Sequence, residues 1–209
     1  LERAAQRGHS QVVLMLLAEG ADPNDRNSKY GAPMRSAAFE LHKEVIEALL
    51  DAGADPDPRS FHGETPLMLA IRGGNTMRGA ETEQIRIGII GLLLRAGADV
   101  NAADGNAAGV PYKAPSEETP IIIAARRGRI GTIQMLLEAG ADVDAQNSAG
   151  RNALILACIF GHKDAVGLLL AAGADTGKVD TSGKTALDWA ASKGHEDIVS
   201  LLMERSTLE

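Results

Sequence analysis

Residues 153–175 read ALILACIFGHKDAVGLLLAAGAD, two apolar segments that are separated by Gly161-His162 and closed by the triplet Gly-Ala-Asp. The triplet recurs along the chain, beginning at Gly20, Gly53, Gly97, Gly140 and Gly173. The spacings are 33, 44, 43 and 33 residues, which a period of 33 with insertions of 11 and 10 residues explains. The chain is therefore a tandem array of one structural unit.

Each unit carries the signals of two helices. Apolar residues three and four apart precede each triplet, as in Val166, Leu169 and Leu170, and the following glycine is typical of a left-handed helix end. Twelve residues after that glycine, pairs such as Thr65-Pro66 and Thr119-Pro120 are typical of an N-cap and a first helical turn. This pattern predicts helix–turn–helix units that pack closely through small Ala-Ala pairs.

A 33-residue unit with Thr-Pro-Leu, Ala-Ala, Gly-His and Gly-Ala-Asp resembles the ankyrin repeat. The resemblance covers essentially the whole chain. It implies an all-α ankyrin-repeat solenoid of helix-turn-helix units with β-hairpin-like fingers between them. We expect one ankyrin repeat domain over residues 1–209, with units at about 1–27, 28–60, 61–102, 103–146, 147–179 and 180–209. The first unit starts in mid-helix at Leu1, so we expect a longer natural chain.

Composition excludes several classes of protein. A 44% hydrophobic content excludes global disorder, and a net charge of −7 argues against a general nucleic-acid binder. The single cysteine, Cys158, excludes an internal disulfide framework, and we expect it to be a buried small residue. The longest apolar run is far shorter than a membrane-spanning helix. We expect an intracellular protein, in the cytoplasm, that has no membrane partner.

No catalytic motif is present. His195-Glu196 begins like a zinc-protease helix, but Val199 stands where the second histidine must be. Four histidines share one repeat position, which indicates a framework role: His9, His42, His162 and His195. Trp189 occupies a position held elsewhere by Leu or Ile, which predicts core packing. We therefore expect no enzyme activity, no catalytic residue, no cofactor, no metal and no small-molecule substrate.

The two insertions have different compositions. The first, near residues 76–88, predicts an early start of the second helix of the third unit, near residue 82. The second, near residues 106–117, is rich in Gly and Pro and predicts a loop within a finger. For each insertion, a tolerated surface excursion and a binding element remain alternatives.

The residues that break the repeat are the candidates for binding. The resemblance implies a partner-facing surface made by the fingers and by late positions of each first helix. Aromatic residues and arginine anchor interfaces, and they occupy many of these positions. The predicted partner-binding residues are Tyr30, Phe39, Phe61, Arg72, Tyr112, Arg126, Arg127, Ile159 and Phe160.

Among these, we expect Arg72, Arg126 and Arg127 to be neighbours that form a basic centre with apolar flanks. The alternatives are a solvated charged face and, for Phe39 and Phe160, simple filling of grooves between units. The resemblance and these residues together predict a non-catalytic interaction module or scaffold that binds a protein or peptide on its concave face. The expected partner is acidic with apolar anchors, and the protein is expected to be a monomer. Two rival hypotheses are a regulatory or targeting segment of a larger enzyme or effector, and recognition of a phosphorylated or nucleic-acid partner by the arginines.

Overall fold

The computed structural model describes residues 1–25, 32–73, 79–105 and 116–206. The chain divides into two compact units, Leu1–Lys113 and Ala114–Glu209. In the described residues the regular structure is helical, with two helices for each predicted repeat. The first unit contains α1 (Glu2–Gln6), α2 (Ser10–Ala18), α3 (Pro33–Glu40), α4 (Lys43–Asp51), α5 (Pro66–Arg72) and α6 (Ala80–Arg95). The second contains α7 (Pro120–Arg126), α8 (Ile130–Glu138), α9 (Ala153–Phe160), α10 (Lys163–Ala171), α11 (Ala186–Lys193) and α12 (Glu196–Ser206).

The helices of each unit form two layers. Consecutive helices pair as hairpins, and within the first unit α1, α3 and α5 stack in one layer while α2, α4 and α6 stack in the other. The second unit repeats this pattern with α7, α9 and α11 in one layer and α8, α10 and α12 in the other. Leucine, isoleucine, valine and alanine fill the space between layers, as the repeat pattern predicts. The all-α ankyrin fold class is confirmed.

Helix ends follow the local sequence with one exception. All five glycines of the Gly-Ala-Asp triplets adopt a left-handed backbone, with φ between 80° and 90°. The side chains of Thr65, Asn152 and Thr185 cap α5, α9 and α11. Thr119 makes no side-chain cap on α7, and its hydroxyl is buried without a hydrogen-bond partner.

The repeated histidines join neighbouring repeats. His42 Nε2 donates to the carbonyl of Gln6 at 3.1 Å, and His162 Nε2 donates to that of Arg126 at 3.1 Å. A Cβ at Gly8 would lie 2.6 Å from the ring of His42 in the next repeat, and a Cβ at Gly161 would lie 2.7 Å from that of His195, so these two turns have no room for a side chain. This contact explains why Gly and His recur together, and it supports the framework role of the histidines.

The first insertion extends a helix, as predicted. α6 has 16 residues, whereas α4 has 9, so α6 is about 10 Å longer at 1.5 Å per residue. It begins at Ala80, two residues before the predicted start. Most of the second insertion, with Val110 and Tyr112, lies outside the described residues.

Two side chains bear on the sequence hypotheses. Cys158 is buried, and burial raises the pKa of its thiol to about 12, so it is not a reactive thiolate. Trp189 is only half-buried and hydrogen-bonds a carboxylate, so its assignment to the core is wrong. In the described ranges, every helix is too short or too polar to cross a bilayer, and no group of acidic, His and Cys residues has the arrangement of a metal site.

Candidate functional site

The layer formed by α1, α3 and α5 carries a groove on the first unit. It has a volume of about 140 Å³. Its lining combines aliphatic and aromatic carbon with polar groups, from Gln6, Arg35, Ser36, Phe39, Glu40 and Leu69. Such a mixture of an apolar wall and a few polar groups is typical of a site that binds a peptide side chain.

Phe39 supplies most of the exposed apolar surface of this groove. It lies near the end of α3, and 46% of its surface is exposed. The end of α3 is fixed by a left-handed residue, Leu41, and by the packing of α3 against α1 and α5. An aromatic ring held on a rigid helix loses little freedom when a ligand covers it.

Arg35 supplies the groove with an unsatisfied donor. Its Nε is buried and has no hydrogen-bond partner among the described residues. Burial lowers the pKa of this guanidinium, and the nearby Glu64 carboxylate opposes that effect. A buried donor without an acceptor costs about 1–3 kcal/mol. Arg35 as a whole is half-buried and lines the groove, so its guanidinium offers a positive charge to a ligand carboxylate placed there.

Arg72 differs from its predicted role as part of a basic centre. Its guanidinium bonds Glu64 and, at 2.6 Å, Asp104 Oδ2, and its side chain is only 18% exposed. Two carboxylates outweigh its single positive charge. The prediction of a basic patch is thus wrong at Arg72, because the finger residue Asp104 was not anticipated as its partner.

Phe61 lies in the finger that precedes α5. It is 79% exposed, the most exposed large apolar side chain among the described residues. The finger is held by Ser60, whose Oγ accepts from the backbone N–H groups of His62 and Glu64. The ring therefore projects from an ordered turn.

The second unit places the other predicted residues at the ends of α7 and α9. Arg126 bonds the buried carboxylate of Glu118 at 3.0 Å, so part of its charge is compensated, while Arg127 is exposed. Phe160 is 51% exposed and stacks on His162 with ring centroids 6.3 Å apart. Ile159 is half-buried beside it in the sequence. Each of the two remaining predicted residues, Tyr30 and Tyr112, lies outside the described residues.

Sequence reasoning missed Arg35. A signal existed, since Arg35 stands where the ankyrin pattern has the histidine of Thr-Pro-Leu-His. At this position the structure shows a buried Nε that has no hydrogen-bond partner in the part of the chain that it describes.

Comparison with known proteins agrees with the geometry. A family model described as ankyrin repeats (3 copies) matches residues 1–104, 85–180 and 121–208, which together span nearly the whole chain. The comparison with curated proteins gives no match.

Proposed function

The chain belongs to the ankyrin repeat family, and we propose that it is a non-catalytic module that binds a segment of another protein in the groove of α1, α3 and α5. Ankyrin repeats are generally protein–protein interaction modules. The observation that carries the proposal is the groove itself, in which the exposed ring of Phe39 lies beside Arg35, whose buried Nε has no acceptor among the residues that the structure describes. This layer corresponds to the concave, partner-facing surface of the family.

The occupant is an extended protein segment that offers one apolar and one acidic side chain. The apolar side chain packs on Phe39 and Leu69, and the carboxylate accepts from Arg35. Glu64, which Arg72 engages, also interacts electrostatically with the Arg35 guanidinium, but among the described residues no acceptor hydrogen-bonds the Arg35 Nε. The exposed Phe61, in the finger that precedes α5, adds apolar surface available to a partner on the first unit.

The site acts inside the cell in this proposal, where a single buried thiol such as Cys158 stays reduced. Its mechanism is surface complementarity on preformed helices, which keeps the ordering cost of binding low.

Selection from a random peptide library tests the proposal without knowledge of the natural partner. We expect selected peptides to share an acidic residue close to an aliphatic or aromatic one. Their affinity should fall about tenfold or more for Phe39→Ala and for Arg35→Gln, because each change removes a central anchor.

Two control variants match these changes in chemistry. Met15→Ala removes an exposed apolar side chain from α2, in the other layer, and Arg95→Gln removes an exposed charge from the end of α6. Both should bind the selected peptides like the wild type. Equal binding by the wild type and by the Phe39 and Arg35 variants would refute the groove as the site.

A further inference from the structure

We propose that the second unit carries a separate site for an acidic protein segment, formed by Arg151, Lys184 and Lys193 around the ring of Trp189. We call these four residues the Trp189 cluster. The inference rests on the proposed function in that the ligand is a protein segment, but it uses a different surface and a different kind of contact.

Three cationic groups converge on one indole ring. The Lys184 ammonium lies 4.5 Å from the ring centroid, the Arg151 guanidinium carbon 5.0 Å and the Lys193 ammonium 5.9 Å. Since each lies within 6 Å of one point, no two are more than 12 Å apart. Neighbouring acidic side chains of one peptide can span such a distance.

A buried carboxylate fixes the geometry of the cluster. Asp180 Oδ2 accepts from the Trp189 indole N–H at 3.0 Å and from Arg151 Nε at 3.2 Å. Asp180 Oδ1 accepts from the Ser182 hydroxyl at 2.5 Å and from the backbone of Ser182 and Lys184. The ring and the guanidinium are therefore held in place before any ligand arrives, which reduces the ordering cost of binding.

The two lysines retain binding capacity. Among the described residues, neither the Lys184 nor the Lys193 ammonium forms a salt bridge, and each has three N–H donors. Asp188 is a competing acidic group, since it interacts electrostatically with Lys184, and its carboxylate also accepts from the backbone N–H and hydroxyl of Thr185 in the capping box of α11. The cluster therefore combines three cations with the two carboxylates of Asp180 and Asp188, which leaves one net positive charge.

Charge favours an acidic peptide over a nucleic acid. The chain as a whole carries a net charge of −7, which repels the dense and continuous charge of a phosphate backbone. A short run of Asp or Glu needs only the local excess of cations. The half-buried Trp189 also gives the aliphatic part of a glutamate side chain a surface to pack on.

Trp189 itself reports on the site because it is the one tryptophan of the chain. A short peptide of consecutive glutamates is titrated against the protein at low salt while tryptophan emission is recorded, and a glutamine peptide of equal length serves as the ligand control. We expect a saturable change in emission with the glutamate peptide alone. Its apparent affinity should fall as salt is raised towards physiological strength, because the contacts are ionic.

Two double variants, each of which removes two positive charges, test whether the glutamate peptide binds at the Trp189 cluster. Lys184→Gln with Lys193→Gln should weaken binding at least fivefold. Lys43→Gln with Lys163→Gln removes two exposed charges elsewhere and should leave the affinity unchanged. Lys193→Gln alone, at the exposed end of α11, gives an intermediate loss and provides a test if the double variant is poorly folded.

Three results would overturn the inference: no emission change with the glutamate peptide, equal affinity for the two double variants, or tighter binding of a thymidine oligonucleotide of the same charge. The Arg35→Gln and Phe39→Ala variants should leave this titration unchanged. Failure of the Trp189 cluster and failure of the groove are therefore seen in separate measurements.

Discussion

At the scale of single residues, a side chain in each of two fingers of the first unit binds the backbone of the next repeat. Asn24 Oδ1 accepts from the backbone N–H of Asp55 at 2.7 Å, and Asp57 Oδ2 accepts from that of Asp99 at 2.7 Å. Asn and Asp are interchangeable as acceptors, but only Asp carries charge. Burial raises the pKa of Asp57, and the nearby Asp55 and Asp99 add to the rise, while the Asp99 backbone and Arg59 oppose it.

Asp57→Asn is therefore expected to stabilise the first unit. The amide oxygen keeps the bond to Asp99, and the cost of burying a charge disappears. Because the group is half-exposed and screened by solvent, we expect a gain of only about 0.5 kcal/mol in the free energy of unfolding at pH 7. The raised pKa means that the wild type gains stability on protonation, so the gain from Asn should shrink as pH falls through that pKa. Urea unfolding at neutral and mildly acidic pH measures both effects.

Replacing Asn by Asp at the equivalent position, Asn24, is the control for Asp57→Asn. Asn24→Asp puts a carboxylate at the equivalent position and removes the Asn24 Nδ2 donor to the Gly53 carbonyl. It should lower stability at neutral pH, and a destabilising Asp57→Asn would contradict the argument.

The pKa of Asp180 is shifted in the opposite direction from that of Asp57. Burial raises the pKa of its carboxyl, but hydrogen bonds from Ser182, Lys184 and Trp189 outweigh that effect and hold the pKa well below its ordinary value of 3.8. The ionised form therefore stabilises the folded state above about pH 4. This contribution to stability is lost as the pH falls below the ordinary pKa of 3.8 towards the lowered pKa of Asp180 in the folded protein.

Asp180→Asn should then destabilise the second unit by about 1–2 kcal/mol at pH 7, since it weakens several bonds to a charged acceptor. The difference from the wild type should narrow below about pH 4 as the wild-type carboxylate takes up its proton. Trp189 emission during urea unfolding at pH 7 and at acidic pH follows both proteins. A difference that is constant with pH would show that the carboxylate charge has no part in stability.

At the scale of elements, the repeat pattern predicts what depends on local sequence. It places the helix ends at Gly20 and Gly173 and finds the exposed Phe39 and Phe160, because these signals are carried by neighbouring residues. It fails where a partner comes from elsewhere in the chain. The pattern predicts a core position for Trp189 because Leu or Ile stands there in other repeats. It gives no sign of the hydrogen bond from the indole to Asp180, nine residues earlier.

The extended helix α6 is the clearest departure from a regular repeat. Arg86 lies in its added turns, with its side chain only 2% exposed. Its Nε donates to Glu83 at 3.2 Å, and its Nη1 donates to the carbonyl of Ala70 in α5. A buried guanidinium thus fastens the inserted turns to the preceding helix.

Arg86→Met is expected to loosen these turns. The Ala70 carbonyl loses a donor and Glu83 loses its ion pair, and breaking a buried pair of this kind costs about 3 kcal/mol. Hydrogen exchange should speed up in residues 81–86 while the buried Ile89 and Leu93 stay protected. Glu83→Gln keeps an acceptor but removes a negative charge from beside the buried guanidinium, so it should also destabilise, by about 1–3 kcal/mol. Unchanged exchange in Arg86→Met would show that the inserted turns are held by other contacts.

At the scale of the whole molecule, repetition means that each helix contacts its neighbours in the stack. In the first unit α4 lies between α2 and α6, with contacts to both. Stability in such an array is a sum of repeat and nearest-neighbour contributions. A binding groove on α1, α3 and α5 should therefore tolerate small changes in α6, because of these three helices α6 packs mainly against α5.

Additivity of core substitutions tests this arrangement directly. Val13 in α2 and Ile90 in α6 are both fully buried. We expect Val13→Ala to cost about 1–2 kcal/mol and Ile90→Val about 0.5–1.5 kcal/mol. The double variant should show their sum within about 0.5 kcal/mol, because α4 lies between the two sites. Urea unfolding of the wild type, the two single variants and the double variant measures the coupling energy. Peptides selected for the groove should bind Ile90→Val like the wild type. A coupling above about 1 kcal/mol would mean that the first unit responds as one body, and substitutions far from Phe39 could then no longer serve as neutral controls for binding.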